Sequence, residues 1–135
     1  MDLSSELLEA LREKLARHPH GDRVRLVQSL HGEVPLEDGS IDAATLGNFL
    51  HELDDPAAYL RDVHRALAPG GRILVADWDL PTVPPPDAER VGPPYDHRIP
   101  EARARELLSS AGFEAVESHP GFRDAYLLTG GRPAR

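Results

Sequence analysis

The run Arg72-Ile73-Leu74-Val75-Ala76-Asp77 constrains the fold more than any other part of the chain. A continuous apolar core with β-branched residues lies between Pro69-Gly70-Gly71 and Asp77-Trp78-Asp79. It is too short for a helix, which needs about ten residues or more, and too little alternating for a half-exposed strand. The run therefore predicts a central strand covered on both faces, in a sheet with helices packed against it.

The surrounding pattern supplies those helices. Leu7, Leu8, Leu11 and Leu15 recur at helical spacing within residues 3 to 18, opposite Glu6, Glu9, Arg12, Glu13 and Lys14. This predicts an amphipathic helix capped by Ser4 and stopped at His18-Pro19-His20-Gly21. Val24 to Val27 reads as a short strand, Leu36 to Ser40 as a turn, and Ile41 to Leu46 as a second buried strand. Asp55-Pro56 offers an N-cap with proline at the first helical position, and Tyr59, Leu60, Val63, Ala66 and Leu67 then share one face. From Leu80 to Pro100 seven of 21 residues are Pro, so the stretch over 80–99 is expected to be a surface loop. Pro100-Glu101 opens a third helix with Ala104, Leu107, Leu108 and Ala111 inward and Gly112 as its left-handed cap. Phe113 to Glu117 and Ala125 to Thr129 form the last two strands. The link between them is too short for a crossover helix, so the final strand should run antiparallel to its predecessor. The expected class is α/β, with helices on both faces of the sheet and one domain over residues 1–135.

Composition removes several chemistries. A net charge of -8 argues against general nucleic-acid binding, which rests on clustered Lys and Arg. The absence of Cys excludes a disulfide, a thiolate nucleophile and Cys-based metal sites. Lys14 is the only lysine and lies in a charged helical stretch, which sets aside Schiff-base and Tyr-Lys chemistry. No run of about 18 apolar residues is present, nor a signal-peptide core at the N-terminus, so a cytoplasmic location and no membrane span are expected. His51-Glu52 invites a zinc motif, but the second His would fall at Asp55. His18, His20 and His31 are not spaced as a metal set, and no metal is expected.

Three stretches carry a family resemblance: Val34-Pro35-Leu36-Glu37-Asp38-Gly39-Ser40-Ile41-Asp42, then Asn48-Phe49-Leu50-His51-Glu52-Leu53-Asp54-Asp55-Pro56, then Leu67-Ala68-Pro69-Gly70-Gly71 running into the strand to Asp77. In this order and spacing they resemble the class I S-adenosylmethionine-dependent methyltransferases, in the small-molecule group similar to the ubiquinone and menaquinone methylases. The helix-Ala-Gly-Phe-strand ending is similar to that family's ending as well. The resemblance implies a Rossmann-like sheet, S-adenosyl-L-methionine as cofactor and a small-molecule methyl acceptor. It also implies a Gly-rich turn after the first strand, where the backbone approaches the cofactor closely. Residues 1–135 contain no such turn: Gly70-Gly71 and Gly130-Gly131 are the only Gly pairs. Matched by its motifs, the chain starts at the end of the family's second strand. The expectation is an incomplete, N-terminally truncated methyltransferase sheet that needs a missing segment or a partner.

The same resemblance assigns residues. Asp2 matches the carboxylate that takes the ribose hydroxyls. Leu30 stands where the family often places an acidic residue facing the adenine, leaving backbone contacts around Leu30 and His31. Asn48 and Phe49 match the floor beneath the cofactor, and His51 and His97 are the candidate general bases, since neutral imidazole takes a proton near neutral pH. Trp78, Tyr95 and Arg98 are candidate substrate contacts beside the carboxyl edge of the sheet. Each has a plainer role available: His51 as a core-edge residue, Trp78 as packing, the Tyr95-Asp96-His97-Arg98 cluster as solvated loop. Asp54 and Asp55 read as helix caps. An alternative to catalysis is a remnant acting as a binding or dimerising module, because the edge of Ile41 to Leu46 would lack a neighbour and favour association with a second copy or a complementing chain. A nicotinamide dehydrogenase on a similar sheet would need its own Gly-rich fingerprint, which is not visible.

Overall fold

The computed structural model describes residues 1–2, 4–29, 32–81 and 91–135. Leu30, His31 and the centre of the Pro-rich stretch lie outside the described residues. The chain divides into two compact units, Met1–Pro35 and Leu36–Arg135.

In the first unit, helix α1 spans Ser5–Leu15. Ser4 Oγ accepts the Leu7 N–H at 3.2 Å, while Ser4 N–H donates to Asp2 Oδ1 at 2.8 Å. Leu8 is buried, but Leu7 and Leu11 of the same apolar face are exposed. The strand expected at Val24 to Val27 does not form as a ladder. A single parallel bridge joins Asp2 to Gln28, with Asp2 N–H donating to Val27 O at 3.3 Å and Ser29 N–H to Asp2 O at 3.0 Å. A ladder requires a run of successive partners, and among the described residues of this unit only Asp2 lies alongside.

The described residues of the second unit form a four-stranded sheet with two α-helices. Strand β1 spans Ile41–Gly47, helix α2 Pro56–Ala66, strand β2 Leu67–Trp78, helix α3 Glu101–Ser110, strand β3 Glu114–Ser118 and strand β4 Ala125–Gly131. The strand order is β1-β2-β4-β3. β1 and β2 are parallel, while β4 runs antiparallel to β2 on one side and β3 on the other. The expected antiparallel ending is present, and β4 inserts between its predecessor and the central strand.

Local chemistry accounts for the boundaries. Asp55 Oδ1 accepts the Ala58 N–H at 2.8 Å, capping α2 ahead of Pro56. β2 starts earlier than the apolar run suggests because Ala68 to Gly71 bulge between the pairs Ile41–Leu67 and Ala43–Arg72. Gly71 is required there: a Cβ would stand 2.8 Å from Ala68 O and 3.1 Å from Asp42 O. Asp79 Oδ1 accepts the Glu101 N–H at 3.1 Å, so the cap of α3 comes from the end of β2 rather than from its own N-cap, Pro100. Gly112, at φ 100°, closes α3.

α2 and α3 pack on each other and on the sheet. Between them Leu50, Leu60, Leu67, Ile73, Val75, Leu108 and Leu128 are fully buried, each stabilising the unit by about 2 kcal/mol through removal of apolar surface from water. β2 departs from the expected double cover. Ile73, Val75 and Asp77 are buried, whereas Leu74, Ala76 and Trp78 on the other face are half-buried and Arg72 is exposed. One face is sealed by α2 and α3, and the second is only partly covered.

Candidate active site

The parallel strands β1 and β2 end side by side, with Gly47 opposite Ala76. Ligands of open α/β sheets bind at such carboxyl edges. Asn48 continues the pairing, its N–H donating to Ala76 O at 2.8 Å, and then turns the chain through a left-handed conformation at φ 49°. Asn is among the few residues that adopt this conformation readily. A short 3-10 turn over Leu50–Glu52 follows, pinned by the fully buried Leu50. This turn carries His51 over the end of β2.

There His51 meets Asp77, which is 1% exposed. Asp77 falls two residues after Val75 on the sealed face of β2, so its carboxylate loses water and requires donors. It has three: His51 Nδ1–H at 2.6 Å and Trp78 N–H at 2.7 Å on Oδ1, and His51 N–H at 3.2 Å on Oδ2. A carboxylate oxygen is the acceptor in this pair, so Nδ1 is the donor, and in the neutral ring Nε2 is the nitrogen that holds the lone pair. The His51 side chain is 9% exposed, and Nε2 stands 4.0 Å from Glu52 Oε1. A histidine held in one tautomer by a buried carboxylate is the arrangement that prepares imidazole to take a proton. Tyr126, paired with Asp77 across β2 and β4, has a buried hydroxyl with no hydrogen-bond partner among the described residues. Burial, together with the negative charges of Asp77, Asp79 and Glu101, raises its pKa and keeps it protonated.

The opposite wall comes from the end of the Pro-rich stretch. Arg98 is buried and donates from Nε to Pro93 O at 3.1 Å, from Nη1 to Asp79 O at 2.8 Å, and from Nη2 to Val91 O. Its guanidinium lies 4.6 Å from the centre of the Tyr95 ring and 5.2 Å from that of Trp78, within cation–π range. Gly92 rests on the Trp78 ring so closely that a Cβ would come within 2.6 Å. Between residues 51–54 and 93–99 is an open concavity of about 580 Å³, lined among others by His51, Glu52, Asp54, Asp96 and His97.

The structure thus places the two histidines expected to be bases around one concavity. Arg98 also lines it, but its donors are engaged by backbone carbonyls, and Trp78 and Tyr95 flank the guanidinium. Asn48 is exposed at the strand edge, while Phe49 packs edge-to-face on Tyr59 with ring centres 5.3 Å apart. Asp2 belongs to the first unit, at its one strand bridge. Leu30 and His31 fall outside the described residues. The partner role of Asp77 was missed in the sequence. The available signal was its position in the period-two pattern with Ile73 and Val75, a charge on the face of a strand that must be buried. Among the described residues no group of three or more His, Asp or Glu could hold a metal ion, and no helix is long and apolar enough to cross a membrane.

Comparison with known proteins gives a consistent assignment. A family model described as a methyltransferase domain matches residues 1–75. The ubiquinone/menaquinone biosynthesis C-methyltransferase UbiE of Hahella chejuensis is 34% identical over 83 residues, which cover 62% of this chain and 33% of that protein. Its counterpart in Proteus mirabilis is 36% identical over 124 residues, covering 88% of this chain and 49% of that protein. The chain therefore spans a third to a half of the length of these relatives. A SAM-dependent methyltransferase from Aquifex aeolicus superposes with a TM-score of 0.80 over 96% of this chain and 65% of that one, at 21% identity, which shows the shared fold. With its motif order, its antiparallel closing strand and this match over residues 1–75, the chain belongs to the class I S-adenosylmethionine-dependent methyltransferases.

Proposed function

We propose that this chain takes part in methyl transfer to a small-molecule acceptor, with His51 as the general base. The observation that carries the reading is the His51–Asp77 pair, a nearly buried imidazole locked by a carboxylate with Nε2 left at the concavity.

The residues present fit part of the cofactor. Asp2 Oδ2 has no hydrogen bond among the described residues and is the kind of acceptor that ribose hydroxyls require. S-adenosylmethionine, when bound, would supply an activated methyl group on a sulfonium leaving group. His51 Nε2 takes the acceptor's hydroxyl or amine proton, and the Asp77 carboxylate stabilises the imidazolium that results. A Gly-rich contact to the methionine portion is not supplied by residues 1–135, so we assign it to a further segment or a partner chain.

A chimera tests this by placing a strand, a Gly-rich turn and a helix of the class I methyltransferase type ahead of Asp2. It should bind S-adenosylhomocysteine in calorimetry where residues 1–135 alone give no heat. With an active acceptor from a small-molecule panel, His51→Ala should lower turnover by about 10²–10⁴ and leave cofactor affinity nearly unchanged. A chimera without cofactor affinity would refute the proposal. One that binds the cofactor but transfers to no acceptor would support the binding or dimerising role, which β1 favours as an edge strand of the described sheet.

A further inference from the structure

We infer that Tyr126 is a positioning residue for the imidazole of His51: its buried hydroxyl turns its proton toward the Asp77 carboxylate and sets how strongly that carboxylate holds the ring. This rests on the reading of His51 as the base and adds a residue of β4 that acts on it through Asp77.

The first observation is placement. Tyr126 stands directly opposite Asp77 in the antiparallel pairing of β2 and β4, and directly opposed residues project from the same face of a sheet. That face is the sealed one, where Asp77 is 1% and Tyr126 3% exposed. The other buried side chains of β2 and β4 on it, Ile73, Val75 and Leu128, are hydrocarbon alone. A phenylalanine would fill position 126 as well without burying an oxygen.

The second observation is the hydroxyl itself, which is buried and has no hydrogen-bond partner among the described residues. Such a group costs stability, and no close acceptor fixes the direction of its proton, which rotates to suit its surroundings. The charges that act on it are all negative: Asp77, Asp79 and Glu101. Asp79 Oδ1 already accepts the N–H groups of Leu80 and Glu101, and Glu101 is partly exposed to water. Asp77 is as deeply buried as the hydroxyl, and its Oδ2 holds only the 3.2 Å bond from the His51 N–H. Where water is excluded a dipole and a charge interact far more strongly than at the surface, so the proton turns to Asp77. The same negative charges keep the hydroxyl protonated, and it meets the carboxylate as a dipole and never as a second anion.

The consequence falls on His51, whose Nδ1 lies 2.6 Å from Asp77 Oδ1. A carboxylate with its full charge directed at the ring favours the imidazolium, which has no lone pair to offer. A hydroxyl dipole on the same carboxylate offsets part of that charge and favours the neutral ring that can take a proton.

Tyr126→Phe tests this in the full chain, since it removes the oxygen and keeps the ring. The His51 Nδ1–H proton signal should move downfield, and the affinity of the ring for its second proton, read from nitrogen-15 spectra, should rise about threefold. In an Asp77→Asn background the same substitution should leave that affinity unchanged, because the carboxylate that links the two is gone. The unsubstituted chain supplies a further readout: the carbon-13 shift of Tyr126 Cζ should step at the pH where the His51 ring titrates, as the imidazolium weakens the field of Asp77 at the hydroxyl. Signals of His51 that ignore Tyr126→Phe, an equal change in the Asp77→Asn background, or a Cζ shift that stays flat across the His51 titration would overturn the inference. The two readings fail separately. Loss of transfer in His51→Ala with no response to Tyr126→Phe refutes the positioning role alone, and a response to Tyr126→Phe with transfer intact in His51→Ala refutes the base alone.

Discussion

Asp77 occupies the same face of β2 as Ile73 and Val75, and a carboxylate placed there survives only by replacing water with donors. Two of its three donors belong to His51, 26 residues earlier in the chain. Nitrogen-15 spectra at mildly alkaline pH should therefore show His51 as a single tautomer protonated on Nδ1. Asp77→Asn should release that restriction, and a mixed-tautomer ring in the unsubstituted chain would contradict the assignment. His64 behaves differently. It lies edge-to-face against Phe113 at 5.0 Å, and its pKa lies below the ordinary 6.5, first through burial and then through the Arg132 guanidinium. As pH falls through 6.5 the unfolded chain takes up a proton that folded His64 refuses. Its contribution to stability is thus complete above 6.5 and is lost as pH falls toward its lower folded value. Urea midpoints should drop between about pH 7.5 and 5, and the drop should be smaller in His64→Leu; an equal drop would remove His64 as the cause. Of these residues, His51 was singled out by its motif. Asp77 as its partner was not, because pairing across 26 residues depends on which strands lie adjacent.

The elements were read most accurately where signals are local. Ser4 before α1, Asp55-Pro56 before α2 and Gly112 after α3 each act within a turn of their helix, and all stand where the sequence indicated. Val24 to Val27 failed because strand propensity cannot supply a neighbour. The start of β2 was misplaced because Pro69-Gly70-Gly71 reads as a turn while serving as a bulge. Arg132, just past β4, gave no sequence signal. Its Nη1 donates to the carbonyls of His64 at 3.0 Å, Arg65 at 2.8 Å and Leu67, closing the C-terminal end of α2. Arg132→Met should destabilise the unit by about 2 kcal/mol, since charge-assisted hydrogen bonds to buried carbonyls are lost together. Chemical denaturation measures this, and a change within about 0.5 kcal/mol would assign the cap to water instead.

At the scale of the molecule, the family and the α/β class were readable because three motifs keep their spacing through the chain, and the antiparallel ending because its link is too short for a crossover helix. Coverage of each face was not, because apolar runs do not say how many helices lie on them. The exposed outer edge of β1 in the described sheet has a consequence for assembly. Sedimentation velocity should show concentration-dependent association, reduced by Thr45→Lys, which puts a charge on the edge strand; a concentration-independent monomer would exclude edge pairing. Trp78 is the chain's one tryptophan, and the fold sets it beneath Gly92 and beside the Arg98 guanidinium. Its indole is therefore a native optical probe of that wall of the concavity. Any ligand or substitution that lifts the segment from Gly92 to Arg98 must change the polarity around that ring, so the colour and intensity of one emission band follow the wall's position without a label.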